Sequence, residues 1–590
     1  MQKPESFYKK QLQLNASLSK QFFKRMGLLS TLRLIVFALT VFGIYSSFNT
    51  WQIATGIAVV GIAIFLYLLS NYTDLKSKRA LHKRLVAINE NELKIASGEF
   101  HHRSDGSEFQ DPNHYFSLDI DLFGRGSFFQ FINRTAIAEG TKKLSDYLLS
   151  NDIRGIEKRQ EAIKELASIP KWRQNYTAVA QGVEVEHSAQ YIITWLKNHR
   201  SFLTKSVYWF TIGFSFASVT ILALGILEII PIKYAGYWLL LGLLVTGRYL
   251  KKINEVAQNT GKAKDTFRQY ALLLQEIESS NFKSELLQEK QQKIQSEDIK
   301  ASQIFQRFSK ALDALDNRNN FISAIFGNGY LLWDIRQTYH VEQWIAKYAD
   351  KVEDWFEVVT FFDAFNSFGN YAFNHQTFTY PKVVEEPITI SAENLGHPLL
   401  NPSKRIDSDL ELKEEQFFIV TGANMAGKST FLRTVALHIA MANVGLPVCA
   451  KQSKYKPIKL ITSMRTTDSL TDDSSYFFSE LTRLKFIVDK IENDKNYFVI
   501  LDEILKGTNS TDKAIGSRKF VEKLVKLSAT GIIATHDLSL TEIESELEAV
   551  KNFYFDAEII NDELHFDYKL KPGVCQNMNA SFLLKKMEIV

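Results

Sequence analysis

The glycine-rich stretch at residues 417–430, FFIVTGANMAGKST, constrains this chain more than any other part of it. Four apolar residues predict a buried strand, and the loop that follows has the spacing Gly-x4-Gly-Lys-Ser. The next residues, FLRTVALHIAMA, have the spacing of a helix with one buried face. A strand, a glycine loop and a helix in this order form the context in which such a loop binds phosphate.

The residue types in the loop suit phosphate and a metal ion. Glycines let backbone N–H groups turn towards phosphate oxygens, and the helix N-terminus adds a positive dipole end. We predict that Lys428 neutralises the β- and γ-phosphates and that the Ser429 hydroxyl is a Mg²⁺ ligand. The predicted nucleotide-binding residues are Gly422, Asn424, Met425, Ala426, Gly427, Lys428, Ser429 and Thr430. A plain glycine turn between strand and helix is the alternative.

Two further apolar strands end in polar residues that complete this chemistry. Residues 497–501, YFVIL, lead into Asp502 and Glu503, and residues 531–535, GIIAT, lead into His536. Parallel α/β sheets bind ligands at the carboxyl ends of their strands. We predict that Asp502 holds Mg²⁺ through its water shell, while Glu503 orients or deprotonates the attacking water. The predicted catalytic residues are Lys428, Glu503 and His536, and the predicted ligands are ATP and Mg²⁺, with no other small-molecule substrate.

Length and composition indicate the number of domains and limit the classes of ligand and metal site. The chain has 590 residues, more than one hydrophobic core normally holds, so several domains are expected. Its formal net charge of +4 is too small to indicate nucleic-acid binding by itself. The two cysteines exclude a disulfide framework and a cysteine-rich metal site, so the enzyme portion is expected to face a reducing cytosol.

The first hydrophobic block, residues 34–70, contains no charged residue and one polar break, SSFNT, near its middle. One membrane crossing needs about 20 apolar residues. The block therefore predicts two transmembrane helices joined by a tight turn. A cleavable signal peptide is the alternative, although the block is long and begins late for one.

A second hydrophobic block occupies residues 207–247, with an interruption around Glu228. Its first half, residues 209–227, has the length of a membrane span, whereas residues 234–247 form a shorter run. We predict up to four transmembrane helices in the lipid bilayer, and a buried core hairpin is the alternative for this block. Basic residues flank both blocks, so the positive-inside rule places every large segment in the cytoplasm. The predicted location is the cell inner or plasma membrane, multi-pass, with the catalytic domain cytoplasmic.

The segments beside these blocks are predicted to be mostly helical. Residues 266–314 are rich in Gln, Lys, Glu and Leu, a composition that suits long paired helices. Aromatic residues are dense after them, as in Trp344, Trp355 and the run FFDAF at residues 361–365. A platform that stacks nucleic-acid bases is one interpretation, and packing at helix contacts is the more common use.

Four motifs in series resemble those of the MutS family of DNA mismatch-repair ATPases. They are TGANMAGKSTFLRTVALHIAMANVG, SSYFFSEL, LDEILKGTNSTD and ATHD, in the family's order and at similar spacing. Upstream, LGHPLL is similar to the strand that enters the family's ATPase domain, and SFFQFINRTAIAEGTKKLSDYLL is similar to its helical core. The resemblance covers residues 119–176 and the chain from residue 358 onwards, and leaves both hydrophobic blocks outside.

The resemblance implies an ABC-type ATPase whose sites form across a homodimer, each glycine loop being completed by a signature segment of the other subunit. The positions that match the signature are Ser475 and Glu480, and those that match the interface loop after the acidic pair are Gly507, Thr508, Asn509 and Ser510. DNA is the partner that the family implies. The Phe-x-Glu wedge with which family members read mismatches is absent, and a membrane hairpin takes its place.

The predicted fold is an α/β P-loop ATPase domain of ABC type at the C-terminus. A mostly α-helical domain that resembles the MutS core precedes it and is interrupted by transmembrane helical hairpins. The predicted divisions are a basic N-terminal cytoplasmic segment (1–27), a first transmembrane hairpin (28–70), a helical segment (71–205), a second transmembrane hairpin (206–250), a second helical segment (251–385) and the ATPase domain (386–590).

Two functions are compatible with this organisation. The first is a membrane-anchored ATPase that drives a clamp-like conformational cycle, with DNA as the partner that the resemblance implies. The alternative is a mechanochemical module that acts on a membrane or protein partner without DNA. A transporter is disfavoured, because the predicted spans contain no intramembrane charge pair.

Overall fold

The computed structural model describes residues 3–185, 188–295, 299–316, 321–385, 387–423, 425–465, 476–560 and 563–576. Helices make up the first two thirds of these residues, and two β-sheets with their helices make up the rest. The two parts share one hydrophobic core, which extends from Phe7 in the first helix to Phe555 in a late strand.

The chain begins with a pair of long antiparallel helices, α1 (Pro4–Ser46) and α2 (Trp51–Ala96). Their turn at residues 47–50 coincides with the polar break that predicted it. The helices approach closely at Gly61, where an added Cβ would lie 2.2 Å from the Thr40 hydroxyl oxygen. The divisions predicted after residues 27 and 70 fall inside these two helices, because backbone hydrogen bonding continues from polar into apolar sequence without a break.

Helices α3 to α13 follow and form the bulk of the core. Their bounds are α3 Phe128–Ile132, α4 Ala138–Leu149, α5 Ile156–Ser168, α6 Pro170–Ala180, α7 Ala189–Asn198, α8 Lys205–Ile226, α9 Lys233–Glu278, α10 Glu285–Lys293, α11 Ala301–Asp316, α12 Asn328–Leu331 and α13 Trp333–Asn374. A 3₁₀ turn, Ser107–Phe109, precedes α3, and a π-helical turn, Ser323–Gly327, precedes α12.

Helix α13 lies at the centre of this helical part. The aromatic run at residues 361–365 is fully buried, and Trp355 is 1% exposed. Asp363 is also buried, and its carboxylate accepts hydrogen bonds from the backbone N–H groups of Ala136 and Ile137. These aromatic side chains therefore pack the core, as the more common interpretation predicted, and are not accessible to nucleic-acid bases.

Three helices in the described part of the chain are long and apolar enough to cross a membrane, namely α1, α2 and α8. The apolar half of α9, predicted as a fourth span, does not reach this standard because charged residues begin at Arg248. Phe216 on α8 is 77% exposed, so the second hydrophobic block is not a buried core hairpin. The apolar surfaces of α1, α2 and α8 face outwards.

In the described residues, the α/β part contains ten strands and four helices. The strands are β1 Lys382–Val383, β2 Ile388–Leu395, β3 Ser408–Lys413, β4 Phe417–Gly422, β5 Gln452–Tyr455, β6 Lys459–Ser463, β7 Tyr497–Asp502, β8 Thr530–Ala534, β9 Val550–Ile560 and β10 Glu563–Pro572. The helices are α14 Lys428–Val444, α15 Tyr476–Asn493, α16 Ser510–Lys526 and α17 Ile543–Glu546, with a 3₁₀ turn at Leu538–Glu542.

The larger sheet has the strand order β10-β9-β4-β8-β7-β6. All neighbours from β9 to β6 are parallel, and only β10 is antiparallel to its neighbour in this sheet. Buried side chains on both faces explain the continuous apolar runs that predicted β4, β7 and β8. Because β8 lies between β4 and β7, the carboxyl ends of all three meet at one edge of the sheet.

The smaller sheet, ordered β1-β5-β2-β3, lies next to helix α14. The helical part contacts the same helix, since Arg159 on α5 donates a 2.7 Å hydrogen bond to the carbonyl oxygen of Asn443. Gly445 ends α14 with a φ of 91°, and an added Cβ there would lie 2.8 Å from that of Arg159. These contacts hold the α/β part against the helical core.

Candidate functional site

The glycine loop connects β4 to α14 at the carboxyl edge of the larger sheet. Three residues in it have positive φ, Gly422 at 145°, Met425 at 69° and Gly427 at 104°. A Cβ at Gly422 would lie 2.7 Å from the carbonyl oxygen of Phe555, so only glycine fits there. Asn424 lies outside the described residues, and the side chain of Met425 is 82% exposed.

Lys428 is the first residue of α14, and its ammonium group lies inside the loop. It donates hydrogen bonds to the carbonyl oxygens of Gly422 at 2.7 Å and Ala423 at 2.9 Å. Burial lowers the pKa of Lys428, against the opposing charges of Asp502 and Glu503. The loop thus holds a desolvated cation close to its own backbone.

Ser429 and Asp502 form a direct pair across the sheet edge. The Ser429 hydroxyl donates a 2.6 Å hydrogen bond to the Asp502 carboxylate at the end of β7. A hydroxyl and a carboxylate are hard oxygen donors of the kind that Mg²⁺ prefers. The donor set predicted for Mg²⁺ is therefore brought together by the fold.

Glu503 and His536 lie beside the loop, as the strand ends predicted. The Nζ atom of Lys428 is 3.3 Å from Nε2 of His536, and burial followed by this positive charge lowers the pKa of the imidazole. Glu503 has a φ of 52° and accepts a 2.9 Å hydrogen bond from Lys513 on α16. Burial raises the pKa of Glu503, but Lys513, together with the charges of His536 and Lys506, outweighs it, so the pKa is lowered.

These residues line a single cavity of about 570 Å³. The predicted site residues in its wall are Met425, Gly427, Lys428, Ser429, Thr430, Asp502, Glu503 and His536. Ala426 is fully buried under the loop. The cavity has the size of sites that enclose small organic ligands.

The wall also contains residues that were not predicted from sequence, among them His397, Lys404, Arg405 and Tyr568. His397 stands in the motif LGHPLL, which was linked only to the strand entering the domain. The other three stand in no motif, so only the tertiary structure reveals them. Tyr568 on β10 lies against Gly427, where an added Cβ would be 3.1 Å from its ring.

Glu480 on α15 is buried within its own chain. Its carboxylate accepts hydrogen bonds from the backbone N–H groups of Leu505 at 2.6 Å and Lys506 at 3.4 Å. It thereby fixes the start of the loop that follows the acidic pair. Its predicted part in a partner's site stays a prediction, and Ser475 lies outside the described residues.

The predicted interface loop lies on the surface beside the cavity. Gly507, Asn509 and Ser510 are exposed, and Thr508 is half-buried. Asn509 caps α16, since its side-chain oxygen accepts a 2.9 Å hydrogen bond from the backbone N–H of the third residue of that helix. The loop is thus both accessible and held in place.

A parallel sheet with a glycine loop, an acidic pair and a histidine at one edge defines an ATPase-like α/β domain. Residues 418–586 match the protein family described as MutS domain V. In this part of the chain the protein is therefore similar to MutS proteins.

Curated relatives also match about a third of the chain. A DNA mismatch repair protein MutS of Carboxydothermus hydrogenoformans is 30% identical over 216 residues, which are 35% of this chain and 25% of that protein. One from Halothermothrix orenii is 33% identical over 31% of this chain and 20% of its own length. The human MutS protein homolog 4 is 32% identical over 34% of this chain and 22% of its own length. The chain thus spans about a quarter or less of each of these relatives.

Proposed function

We propose that this protein is a membrane-anchored P-loop ATPase of the MutS type. One observation carries the proposal: Lys428, Ser429, Asp502, Glu503 and His536 line one cavity at the carboxyl edge of a parallel sheet. The similarity to MutS proteins supports the same conclusion.

The residues around the cavity suit ATP and Mg²⁺. Lys428 would bind phosphate oxygens in place of the loop carbonyls it now contacts, and α14 would direct its N-terminal dipole at them. Ser429 and Asp502 would hold Mg²⁺, which when bound supplies charge neutralisation at the phosphates. The Tyr568 ring lies where an aromatic face could pack against a bound base.

Glu503 is the proposed general base, and His536 the proposed γ-phosphate contact. The lowered pKa of Glu503 keeps its carboxylate ionised at neutral pH, and a general base must be ionised to accept a proton. The neutral imidazole of His536 can donate from one ring nitrogen to a phosphate oxygen.

Exposed apolar side chains of the α/β part support a homodimer with composite sites. Met425 in the glycine loop is 82% exposed, and Phe478, Leu481 and Ile515 are also exposed. Large apolar side chains on a surface are favourable for a protein contact. Ser475 and the loop at residues 507–510 would then complete the partner's site, and ATP would favour the closed dimer.

The helices α1, α2 and α8, with the apolar half of α9, are proposed to cross the cell membrane in up to four spans. Their outward apolar surfaces support this assignment. The flanking basic residues support a cytoplasmic position for the ATPase domain.

DNA is proposed as the partner, because the matched relatives are DNA mismatch repair proteins.

A mechanochemical function without DNA is favoured by a different observation. Helices α2 and α9 each run for 46 residues from apolar sequence into the cytoplasmic core, so movement of the core is transmitted directly to the bilayer.

The experiment that tests the proposal is the ATPase rate of the detergent-solubilised full-length protein. It is measured with homoduplex, mismatched and branched DNA over a salt series, using Glu503→Gln as the inactive variant and Glu548→Gln, an exposed carboxylate outside the cavity, as its matched control. Hydrolysis that is lost only in Glu503→Gln supports the ATPase. Stimulation by DNA that fades with salt supports the DNA clamp, and equal rates with every DNA refute it.

A further inference from the structure

A second cavity lies in the helical core, where no motif predicted a site. It has a volume of about 410 Å³ and lies between α2, α6, α13 and the loop that precedes α4. The charged residues that line it are Glu90, Glu92, Lys94, Arg103, Arg134 and Arg173. Four cations thus face two carboxylates.

The carboxylate of Glu92 is already used by the protein. It forms an ion pair with Arg134 and accepts hydrogen bonds from the side-chain amides of Asn370 and Asn374, both at 3.1 Å. Arg103 and Arg173 make no ion pair with any carboxylate in the described part of the chain. Arg173 instead donates to the carbonyl oxygen of Leu166 and to Asn370.

Several buried polar atoms in this cavity have no hydrogen-bond partner among the described residues. They are Nη2 of Arg173, Nε of Arg103 and both amide atoms of Asn366. Arg173 and Asn366 are each 3% exposed. Burial lowers the pKa of the guanidinium groups of Arg103 and Arg173 to about 10. Buried polar groups are normally paired, because leaving them unpaired is costly.

We propose that this cavity binds the phosphate group of a small organic molecule. Guanidinium groups present parallel N–H donors that match phosphate oxygens, and Arg103 and Arg173 have such donors to spare. The amide of Asn366 supplies one donor and one acceptor to the rest of the ligand. The cavity volume suits a ligand of about nucleotide size.

The position of the cavity gives the ligand a regulatory role. Asn370 on α13 accepts from Arg173 and donates to Glu92 on α2, so one side chain joins the extension of the membrane hairpin to the central helix. A bound phosphate would strengthen this connection between α2 and α13. The site is separate from the glycine loop and does not depend on ATP hydrolysis.

Asn366→Leu provides the sharpest test, because leucine keeps the branching of the side chain at Cγ and the amide makes no hydrogen bond with the described residues. The thermal midpoint of the full-length protein is measured with inorganic pyrophosphate and with AMP. The background variant is Lys428→Ala, which removes binding at the glycine loop. We expect at least one probe to raise the midpoint. Asn366→Leu should keep the unliganded midpoint and weaken binding about tenfold.

Arg103→Gln is the second variant, and it changes a half-buried side chain that donates a 2.7 Å hydrogen bond to the carbonyl oxygen of Asn133. It should also weaken the effective probe about tenfold, and Arg125→Gln, on the surface, should not. A larger effect of AMP identifies a nucleotide, and a larger effect of pyrophosphate identifies the phosphate alone. The proposal is overturned if neither probe raises the midpoint, or if both variants bind as tightly as their background.

A second observation concerns the connection between α11 and α13. Residues 321–333, FISAIFGNGYLLW, contain no charged residue. Phe321 is 77% exposed and Phe326 is 54% exposed, although both stand in a connection where polar residues are usual.

This segment packs against α8 and α9 at half their apolar length. A Cβ on Gly242 of α9 would lie 2.1 Å from the carbonyl oxygen of Gly329, so the two backbones touch. Ser215 on α8 donates a 3.2 Å hydrogen bond to the carbonyl oxygen of Leu331. At 1.5 Å per residue, Ser215 lies about 15 Å along α8 from its start, which is about half the thickness of a bilayer's hydrocarbon core.

We infer that residues 321–332 form a re-entrant segment that enters the bilayer beside α8 and α9 without crossing it. This inference rests on the proposed membrane anchoring. Lipid acyl chains would cover the exposed face of the segment, because its phenylalanines continue the apolar surface of α8 at the same depth. Backbone that is not α-helical is tolerated at this depth where protein covers it. Here the left-handed Leu332, with φ 49°, is fully buried.

Site-directed fluorescent labelling in proteoliposomes tests this segment. Both native cysteines, Cys449 and Cys575, are buried, so a new surface cysteine can be labelled selectively. The variants are Phe326→Cys, Phe216→Cys on α8 as the lipid reference and Asp350→Cys on α13 as the aqueous reference. The quenchers are spin-labelled lipids and aqueous iodide.

We expect the label at Phe326 to be quenched by lipid as at Phe216, and the label at Asp350 by iodide. If lipid quenches the label at Phe216 but iodide quenches the label at Phe326, the re-entrant segment is refuted. The proposed membrane anchoring is then still supported. Iodide quenching at both apolar positions refutes the anchoring itself.

Discussion

The ion pair between Lys513 and Glu503 leads to a specific prediction about hydrolysis. Lys513→Met removes a positive charge 2.9 Å from the proposed general base while keeping the length of the side chain. Lys513 is the main group that opposes burial and lowers the pKa of Glu503, so removing its charge raises that pKa. A carboxylate with a higher pKa that is still ionised is a stronger base.

The size of this effect follows from the exposure of the pair. The two side chains are 24% and 30% exposed, and ion pairs accessible to solvent contribute about 0.5 to 1 kcal/mol. The ATPase rate at neutral pH is therefore expected to rise about two- to fivefold. The acidic limb of the pH–rate profile should move up by about 0.4 to 0.7 pH units, because the base is protonated at higher pH when its pKa is less depressed.

The assay is steady-state ATP hydrolysis by the solubilised protein between pH 5 and 8, under the same buffer and salt for each variant. Lys513→Arg keeps the charge and should leave the profile unchanged, and Lys519→Met changes an exposed lysine of the same helix outside the cavity. A tenfold loss of rate in Lys513→Met would refute the reasoning, since Lys513 would then support catalysis directly instead of restraining Glu503.

Three further predictions concern single side chains. Gly427→Ala places a Cβ at φ 104° and should weaken nucleotide binding at least tenfold by calorimetry, because strain of about 1 to 3 kcal/mol distorts the loop. Burial raises the pKa of Asp363 to about 7, so stability should fall as pH rises from 4 to 7, and Asp363→Asn should flatten the dependence of the thermal midpoint on pH. Glu480→Ala leaves the buried N–H of Leu505 unpaired and should cost about 1 to 3 kcal/mol in denaturant unfolding, whereas Glu480→Gln should cost less.

The sequence predicted those elements whose signal is local. Strands β4, β7 and β8 are buried on both faces, so each appeared as an uninterrupted apolar run. The turn of the first hairpin was found because SSFNT is the only polar break in its block. Composition predicted paired helices within residues 266–314, and the end of α9 contacts α11 there through rings such as Phe267 and Phe305, whose centroids are 5.0 Å apart.

Features that depend on tertiary structure were beyond prediction. Domain divisions placed at changes of polarity fell within α1, α2 and α9, because a helix does not end where its surroundings change. Lys513 and Tyr568 stand in no motif and reach the cavity only through the packing of α16 and β10. The contact of Glu480 with its own chain was missed because position in a motif does not say which subunit a side chain serves.

The uninterrupted length of α2 has a consequence for how this protein tolerates change. At 1.5 Å per residue its 46 residues extend for about 69 Å, from apolar sequence to Glu92 in the core. Each residue turns the helix by about 100°, so inserting one residue between these ends would rotate the core by that angle relative to the apolar end of α2. An insertion of seven residues, close to two full turns, would lengthen the rod by about 10 Å and nearly restore the orientation. The relative orientation of the two ends is thus fixed by the number of residues between them. Insertions or deletions in this helix are tolerated only when they add or remove close to a whole number of helical turns.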